Sequence, residues 1–260
     1  MKKKMPLSIA IITQNEEENL PACLESATFA DQIVVVDSDS TDNTVKIASE
    51  FGCDVSVEKW RGFGPQKQFA IDKCRNKWVL VLDADERIPH ETALVIEDIV
   101  LNRSDTVAGY SFPRKNYFQG RWIRHLGWWP DRIIRLFKKD LGWMTEALVH
   151  ESIEVSGPVE ALDVPIEHFT ESRLDRILIK IDRYSTLGAR EAFDEGKKTS
   201  ICSAAVRAVL TFFQDYFLKL GILDGAQGFV LSITDSVNKF FKYAKLNELN
   251  RQAKSGDGDN

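Results

Sequence analysis

Three short apolar runs, each closing on a polar or acidic residue and separated by helix-patterned stretches, restrict this chain more than any other feature. Leu7 to Thr13 is the first, Ile33 to Asp37 the second, and Trp78-Val79-Leu80-Val81-Leu82 the strongest. Unbroken runs of this length suit parallel strands covered on both faces. Between the first two, Asn15 and Glu18 have capping-box-like spacing, and Leu20, Cys23, Leu24 and Ala27 recur at helical intervals, which makes a βαβ unit. Helical patterns over Val45 to Phe51 and Gln66 to Cys74 flank a weak strand, Asp54 to Val57. Another helix is predicted over Pro89 to Leu101, then mixed-sheet strands over Val107 to Pro113 and Arg132 to Phe137. Such alternation predicts an α/β fold on a mostly parallel sheet. From Arg173 onward the pattern is helical, and 255–260 reads as a frayed tail.

Composition removes several classes of function. With 43% hydrophobic residues and only 8 prolines, the chain is neither fibrous nor wholly disordered. A net charge of -5 argues against bulk nucleic-acid binding. Cys23, Cys53, Cys74 and Cys202 form no C-x-x-C pair, so a zinc ribbon or disulfide scaffold is not expected and a reducing compartment is. Met1-Lys2-Lys3-Lys4 before Leu7 imitates a signal peptide, but the apolar run is short and Gln14-Asn15-Glu16-Glu17-Glu18 follows at once. No run of about 18 uninterrupted apolar residues occurs, so a soluble or peripheral protein is expected.

In open α/β sheets ligands collect outside the carboxyl ends of the strands, so the acidic groups after the second and fourth strands should face one crevice. Asp83-Ala84-Asp85-Glu86 crowds carboxylates at a strand mouth, where a divalent cation such as magnesium or manganese would remove the repulsion and share its coordination with substrate phosphates. The plainer reading is a solvated turn. In the segment Arg114 to Arg135, Arg114, Lys115, Arg121, Arg124, Arg132 and Arg135 interleave with Tyr117, Phe118, Trp122, Trp128 and Trp129. Arginine forks and aromatic faces suit a phosphorylated sugar, although long cations also cover ordinary apolar loops. Two later stripes are amphipathic: Val206, Val209, Leu210, Phe213, Tyr216, Phe217 and Leu220, and Ala226, Phe229, Val230, Ile233, Val237, Phe240, Phe241 and Ala244 beside Lys239, Lys242 and Lys245. They fit either a membrane surface or helices packed on the core or across a homodimer.

The ordered combination of Asp37-Ser38-Asp39-Ser40-Thr41-Asp42-Asn43-Thr44, Gly62-Phe63-Gly64-Pro65-Gln66-Lys67-Gln68 and Asp83-Ala84-Asp85-Glu86 resembles family 2 glycosyltransferases of the GT-A fold. The stretches 120–128, Arg135-Leu136-Phe137 and Val149-His150-Glu151 narrow the likeness, over about residues 5 to 250, to the lipopolysaccharide-core glucosyltransferase branch described as WaaE-like. The resemblance implies a GT-A catalytic domain over 5–170, a helical region over 171–250 for membrane or dimer contact, and a disordered tail over 251–260. It implies that Thr13, Asn15 and Glu16 hold the nucleotide, that Asp37 and Asp39 meet uracil or ribose, and that Lys67 approaches the diphosphate. Asp37-Ser38-Asp39 stands where adjacent aspartates are frequent, so either carboxylate is a candidate to read the base.

By the same resemblance Asp85 binds Mg2+ or Mn2+, with His150 and His168 as candidate third ligands, while Asp83 lies nearer the sugar or ribose and is catalytic together with Glu151. Glu151 is the general base of an inverting reaction, with Glu146 a competitor; from the basic and aromatic segment, Arg124, Trp128 and Arg135 are the candidates to bind a phosphorylated sugar acceptor. The expected reaction moves a hexose, glucose foremost, from a UDP-sugar to a lipid-linked saccharide. The enzyme would be cytoplasmic, free or peripheral on the inner membrane face. Transfer to a polyprenyl phosphate and a silent nucleotide-sugar-binding scaffold are the alternatives.

Overall fold

The first apolar run becomes β1 (Met5–Thr13), which is buried on both sides: Leu7, Ile9 and Ile11 enter one apolar cluster and Ala10 the other. The computed structural model describes residues 4–103, 106–145, 152–170 and 173–256. The chain divides into two compact units, residues 1–115 with 130–168 and residues 116–129 with 169–260.

In unit 1 the predicted βαβ pattern is realised. α1 (Leu20–Ala27) buries Leu20, Cys23, Leu24 and Ala27, the four residues at helical spacing. Its N-cap is Asn19 rather than Asn15, with no side-chain cap; the Asn19 amide instead donates to Glu16 Oε2 at 2.9 Å. β2 (Ala30–Asp37), α2 (Thr44–Glu50), β3 (Asp54–Val57), α3 (Phe63–Asp72) and β4 (Trp78–Asp83) follow. α3 begins three residues earlier than the apolar pattern suggested, because Gly62, at φ 101°, turns the chain directly into the helix. β5 (Glu86–Arg87), α4 (His90–Asn102), β6 (Gly109–Phe118), β7 (Arg121–Trp122), β8 (Asp131–Lys138), β9 (Gly142–Met144), β10 (Ile153–Val155), β11 (Val159–Ala161) and β12 (Ile166–Phe169) complete the strands.

The main sheet runs β3-β2-β1-β4-β8-β6-β12-β5. β3, β2, β1 and β4 are mutually parallel, whereas β4–β8, β8–β6 and β12–β5 are antiparallel. Register places Thr13 opposite Asp37 and Ile12 opposite Asp83. The carboxyl ends of β1, β2 and β4 therefore lie side by side, where the chain reversal of a parallel sheet opens a crevice.

Unit 2 is helical. α5 (Leu174–Asp194) and α6 (Ile201–Phe213) each pack on α7 (Gly225–Gly256). Ser200 caps α6 by accepting from the Ser203 N–H. A π-helical turn, Gln214–Leu218, and a 3-10 turn, Gly221–Asp224, join α6 to α7. A Cβ on Gly228 would come within 1.9 Å of the Gly221 carbonyl, so glycine is required where α7 crosses that turn. Phe118, Ile123, Leu126 and Leu231 form one small core, and Ala189, Ala192 and Leu246 another. α7 stays helical into the stretch read as tail from 251, and Asn247 and Asn250 tie its preceding turns to the Thr199 and Lys197 carbonyls.

α6 packs in an unusual way. It buries Ala204 and Ala208 while Val206, Val209, Leu210 and Phe213 are all more than half exposed. With its π-turn it makes an 18-residue stretch, Ile201–Leu218, long and apolar enough to cross a membrane by length and composition. No uninterrupted run had shown this, because Arg207, Gln214 and Asp215 break the sequence.

Candidate active site

The carboxyl end of β2 is organised around Asp37. Its carboxylate is fully buried and accepts from Thr13 Oγ1 at 3.0 Å, the Ser40 N–H at 2.8 Å and the Ser40 hydroxyl. Asn15, at φ 56°, continues the lacing: its N–H donates to Ser40 Oγ and its Oδ1 accepts from the Thr41 N–H, both at 2.8 Å. The Glu16 N–H donates to Thr44 Oγ1 at 2.8 Å. Asp42 accepts from the Thr44 N–H at 3.0 Å and so closes the first turn of α2. Asp37 is thus consumed in shaping the loop. Asp39 is exposed, sits at φ 54°, and has no hydrogen-bond or ion-pair partner among the described residues. The sequence left these two aspartates as equals; the fold separates them.

From α3, Gln66 donates to Ser38 Oγ at 3.1 Å, and its Oε1 is buried without a partner among the described residues. Lys67 reaches the end of β4 and pairs with Asp83 Oδ1 at 2.8 Å. Arg135 of β8 approaches Asp83 Oδ2 and Glu86 Oε1, each at 2.6 Å, and Glu86 Oε2 accepts the Asp83 N–H at 3.0 Å. Burial opposes ionisation of Asp83, but Arg135, and then Lys67, outweigh it and hold the carboxyl far below the usual carboxylate range. Burial likewise opposes charge on Arg135, and Asp83 and Glu86 more than restore it. Asp83 is therefore a fixed anion at neutral pH, gripped from both sides. Arg87 donates to the Ala84 and Glu86 carbonyls at 3.0 and 2.9 Å, which fixes the turn carrying Asp85.

Asp85 points elsewhere. Its Oδ2 lies 3.2 Å from His168 Nε2, a pair produced by β5–β12 register, in which His168 stands opposite Glu86. Both side chains keep some solvent access. One carboxylate and one imidazole suit a divalent ion that shares its remaining positions with phosphate oxygens and water. Among the described residues no three His, Cys, Asp or Glu side chains converge to enclose a metal by themselves.

The structure thus brings together Thr13, Asn15, Asp37, Lys67 and Asp83 along the strand ends, and Asp85 with His168. His150, Glu151 and the competing Glu146 lie outside the described residues. Arg135, assigned from sequence to the acceptor, is buried against Asp83 and Glu86; Trp128 joins an apolar cluster of unit 2. Glu86 and Gln66 are the participants that sequence reasoning passed over. Both sat inside quoted motifs, but their roles depend on burial.

Comparison with known proteins gives the family. Residues 8–150 match glycosyl transferase family 2. This chain belongs to that family. It is 31% identical over 255 residues to the lipopolysaccharide core biosynthesis glycosyltransferase LpsC of Rhizobium meliloti, covering 94% of this chain and 92% of that protein. An uncharacterized glycosyltransferase of Rickettsia typhi is 30% identical, covering 96% and 89%. Among solved structures, mannosyl-3-phosphoglycerate synthase of Rubrobacter xylanophilus aligns with TM-score 0.47 at 16% identity, covering 74% of this chain and 75% of that one. Glucosyl-3-phosphoglycerate synthase of Mycobacterium tuberculosis, crystallised with Mn2+, UDP and phosphoglyceric acid, aligns at 0.44 and 14%, covering 66% and 73%. The family 2 chain is a glycosyltransferase with a mixed α/β catalytic core and a helical C-terminal region, as its motifs implied.

Proposed function

We propose that this family 2 glycosyltransferase is an inverting, divalent-metal-dependent hexosyltransferase that moves glucose from UDP-glucose to a hydroxyl of a lipid-linked saccharide such as the lipopolysaccharide inner core. The observation that carries the reading is the division of labour among four aspartates. Asp37 and Asp83 are locked into the scaffold, while Asp39 and the Asp85–His168 pair are left with solvent access at the same set of strand ends. Asp39 accepts from the uracil N3–H or the ribose hydroxyls, since no donor among the described residues satisfies it. Gln66 Oε1, buried and without a partner among the described residues, is a second acceptor beside Ser38. Lys67, although paired with Asp83, places positive charge where a diphosphate leaving group would gather negative charge.

Asp85 and His168 would hold the Mg2+ or Mn2+, which supplies Lewis-acid stabilisation to the departing diphosphate. Asp83, held anionic by Arg135 and Lys67, orients sugar hydroxyls through accepted hydrogen bonds. Glu151 takes the proton of the attacking acceptor hydroxyl as it adds to the anomeric carbon opposite the leaving group. The LpsC relative supports a saccharide acceptor of the lipopolysaccharide core. The outward apolar face of α6 supports attachment to the inner face of the cytoplasmic membrane.

UDP-induced stabilisation against heat, measured with and without manganese, tests the donor site, because a ligand that binds only the folded form raises Tm. Wild type should show a manganese-dependent shift with UDP-glucose, and Asp85→Asn should lose it along with about a hundredfold or more of UDP release. Equal UDP release by wild type and Asp85→Asn sinks the metal assignment; no shift with any UDP-sugar sinks the reading as a whole.

A further inference from the structure

The basic stretch that follows the start of β6 has two fates. Arg114 pairs with Asp131, Arg132 with Asp163, and Arg135 with Asp83 and Glu86, all within unit 1. Arg121 and Arg124, in unit 2, are exposed and have no carboxylate partner among the described residues. They are nevertheless held in place. Arg121 donates to the Leu223 carbonyl at 3.1 Å and lies over Gly225, where a Cβ would sit 3.1 Å from its Nη1. The Arg124 guanidinium stacks 4.1 Å from the centre of the Trp122 ring.

Beside them, Asp224 is almost fully buried and accepts from the N–H groups of Arg124 and His125 at 3.3 and 3.0 Å. It also contacts His125 Nδ1 at 3.1 Å, which fixes the imidazole. Asp224 lines the same cavity, so its one carboxylate offsets part of the charge of the two guanidinium groups and leaves them in excess. These side chains line a cavity of about 650 Å³ within unit 2. Unpaired guanidinium forks held by backbone and aromatic contacts are suited to bidentate capture of a phosphate.

The wall of this cavity continues into apolar surface. Leu223 lines it and is 57% exposed, and the same turn presents Phe217, Leu218, at 80% exposure, Leu220 and Ile222 to solvent. The outward face of α6 extends the patch through Phe213, Leu210, Val209 and Val206. A cationic cavity opening beside a broad apolar face matches a molecule with an anionic head and an apolar tail, and a free sugar phosphate would leave the apolar face uncovered.

We propose that the Arg121–Arg124–His125 cavity binds the phosphate of a phosphorylated lipid head group while the 217–223 turn and α6 enter the lipid surface. The proposal rests on the glycosyltransferase reading only in making that lipid the acceptor.

Flotation of the full-length chain with phosphatidylcholine vesicles, with and without phosphatidic acid, tests it. Wild type should float with the phosphatidic acid vesicles. Arg121→Gln/Arg124→Gln should weaken that partition roughly tenfold or more, and Leu218→Ser/Leu223→Ser by a similar factor. The charge-matched pair Lys180→Gln/Arg183→Gln on α5 should change it by less than about threefold. Arg124→Lys keeps the charge and loses the fork, so an intermediate loss would support phosphate recognition even if the double variant folds poorly. Equal losses for the two cation pairs would mean diffuse attraction and overturn the site. Tight binding of glycerol phosphate with no vesicle partition would overturn the lipid assignment. The UDP–manganese thermal shift of the same wild-type preparation separates the two readings: vesicle binding without that shift leaves the lipid site and removes the donor chemistry, and the reverse removes the lipid site alone.

Discussion

The Asp83 network of unit 1 and the Arg121–Arg124 stretch with α6 in unit 2 treat the same kinds of residue in opposite ways. Around Asp83 in unit 1 each buried charge meets a counter-charge, and α1 turns its large apolar residues inward. In unit 2 the guanidinium groups of Arg121 and Arg124 have no ion-pair partner among the described residues, and α6 turns small alanines inward and large apolar residues outward. Completed networks and cores are preorganised, and cost little rearrangement when substrate arrives. Uncompensated cations and exposed apolar surface gain stability only when something external covers them. The contrast separates a network whose charges are answered internally from a surface whose cations and apolar side chains are left exposed.

The largest effect that would break this comparison is at Arg135. Arg135→Met should cost about 3–5 kcal/mol in urea unfolding, because Glu86 and Asp83 would be left without their buried partner. A loss under about 1 kcal/mol would show that the network is not preorganised as described. Next come matched leucines. Leu24→Ala, at a fully buried position, should cost about 2–5 kcal/mol, whereas Leu210→Ala, 61% exposed, should change stability by no more than about 0.5 kcal/mol while weakening vesicle flotation. A large stability loss at Leu210 would mean that its face is covered in solution by another copy of the chain, and the elution volume would show it.

The aspartates at the end of β2 sharpen the comparison within unit 1. Asp37→Ala should destabilise by about 1–3 kcal/mol by orphaning the Ser40 N–H and Thr13 hydroxyl. Asp39→Ala should leave Tm within a few degrees and weaken UDP binding about tenfold, read by calorimetry. The smallest effect is in pH. The folded Asp83 carboxyl lies below its ordinary value of 3.8, so its contribution is fully present above about pH 4 and is lost only as pH falls through the lower, folded value. Tm should therefore show no Asp83-dependent change between about pH 5 and 8, and Asp83→Asn should flatten part of the acid limb below about pH 4.

Much of unit 1 was legible from sequence because its signals are local. Leu20, Cys23, Leu24 and Ala27 announced α1 by spacing alone, and Trp78 to Leu82 could hardly be anything but a buried strand. The acidic motifs were visible as strings of residue types, and their order resembled one family. Their individual roles were not visible. Whether Asp37 or Asp39 is free depends on Thr13 and Ser40, and the pairing of Asp85 with His168 spans 83 residues. Arg135 looked like an acceptor-binding cation because sequence shows charge and hides partners.

The chain alone determined the α/β class, the helical C-terminal region and the carboxylates at the strand ends, since hydrophobic period and residue type are properties of neighbours along the backbone. Only the tertiary structure decided which carboxylates are tied up, which arginines stay uncompensated and which side of α6 faces outward. Those outcomes depend on long-range register and on competition for buried space, and neither is written into any short stretch of sequence.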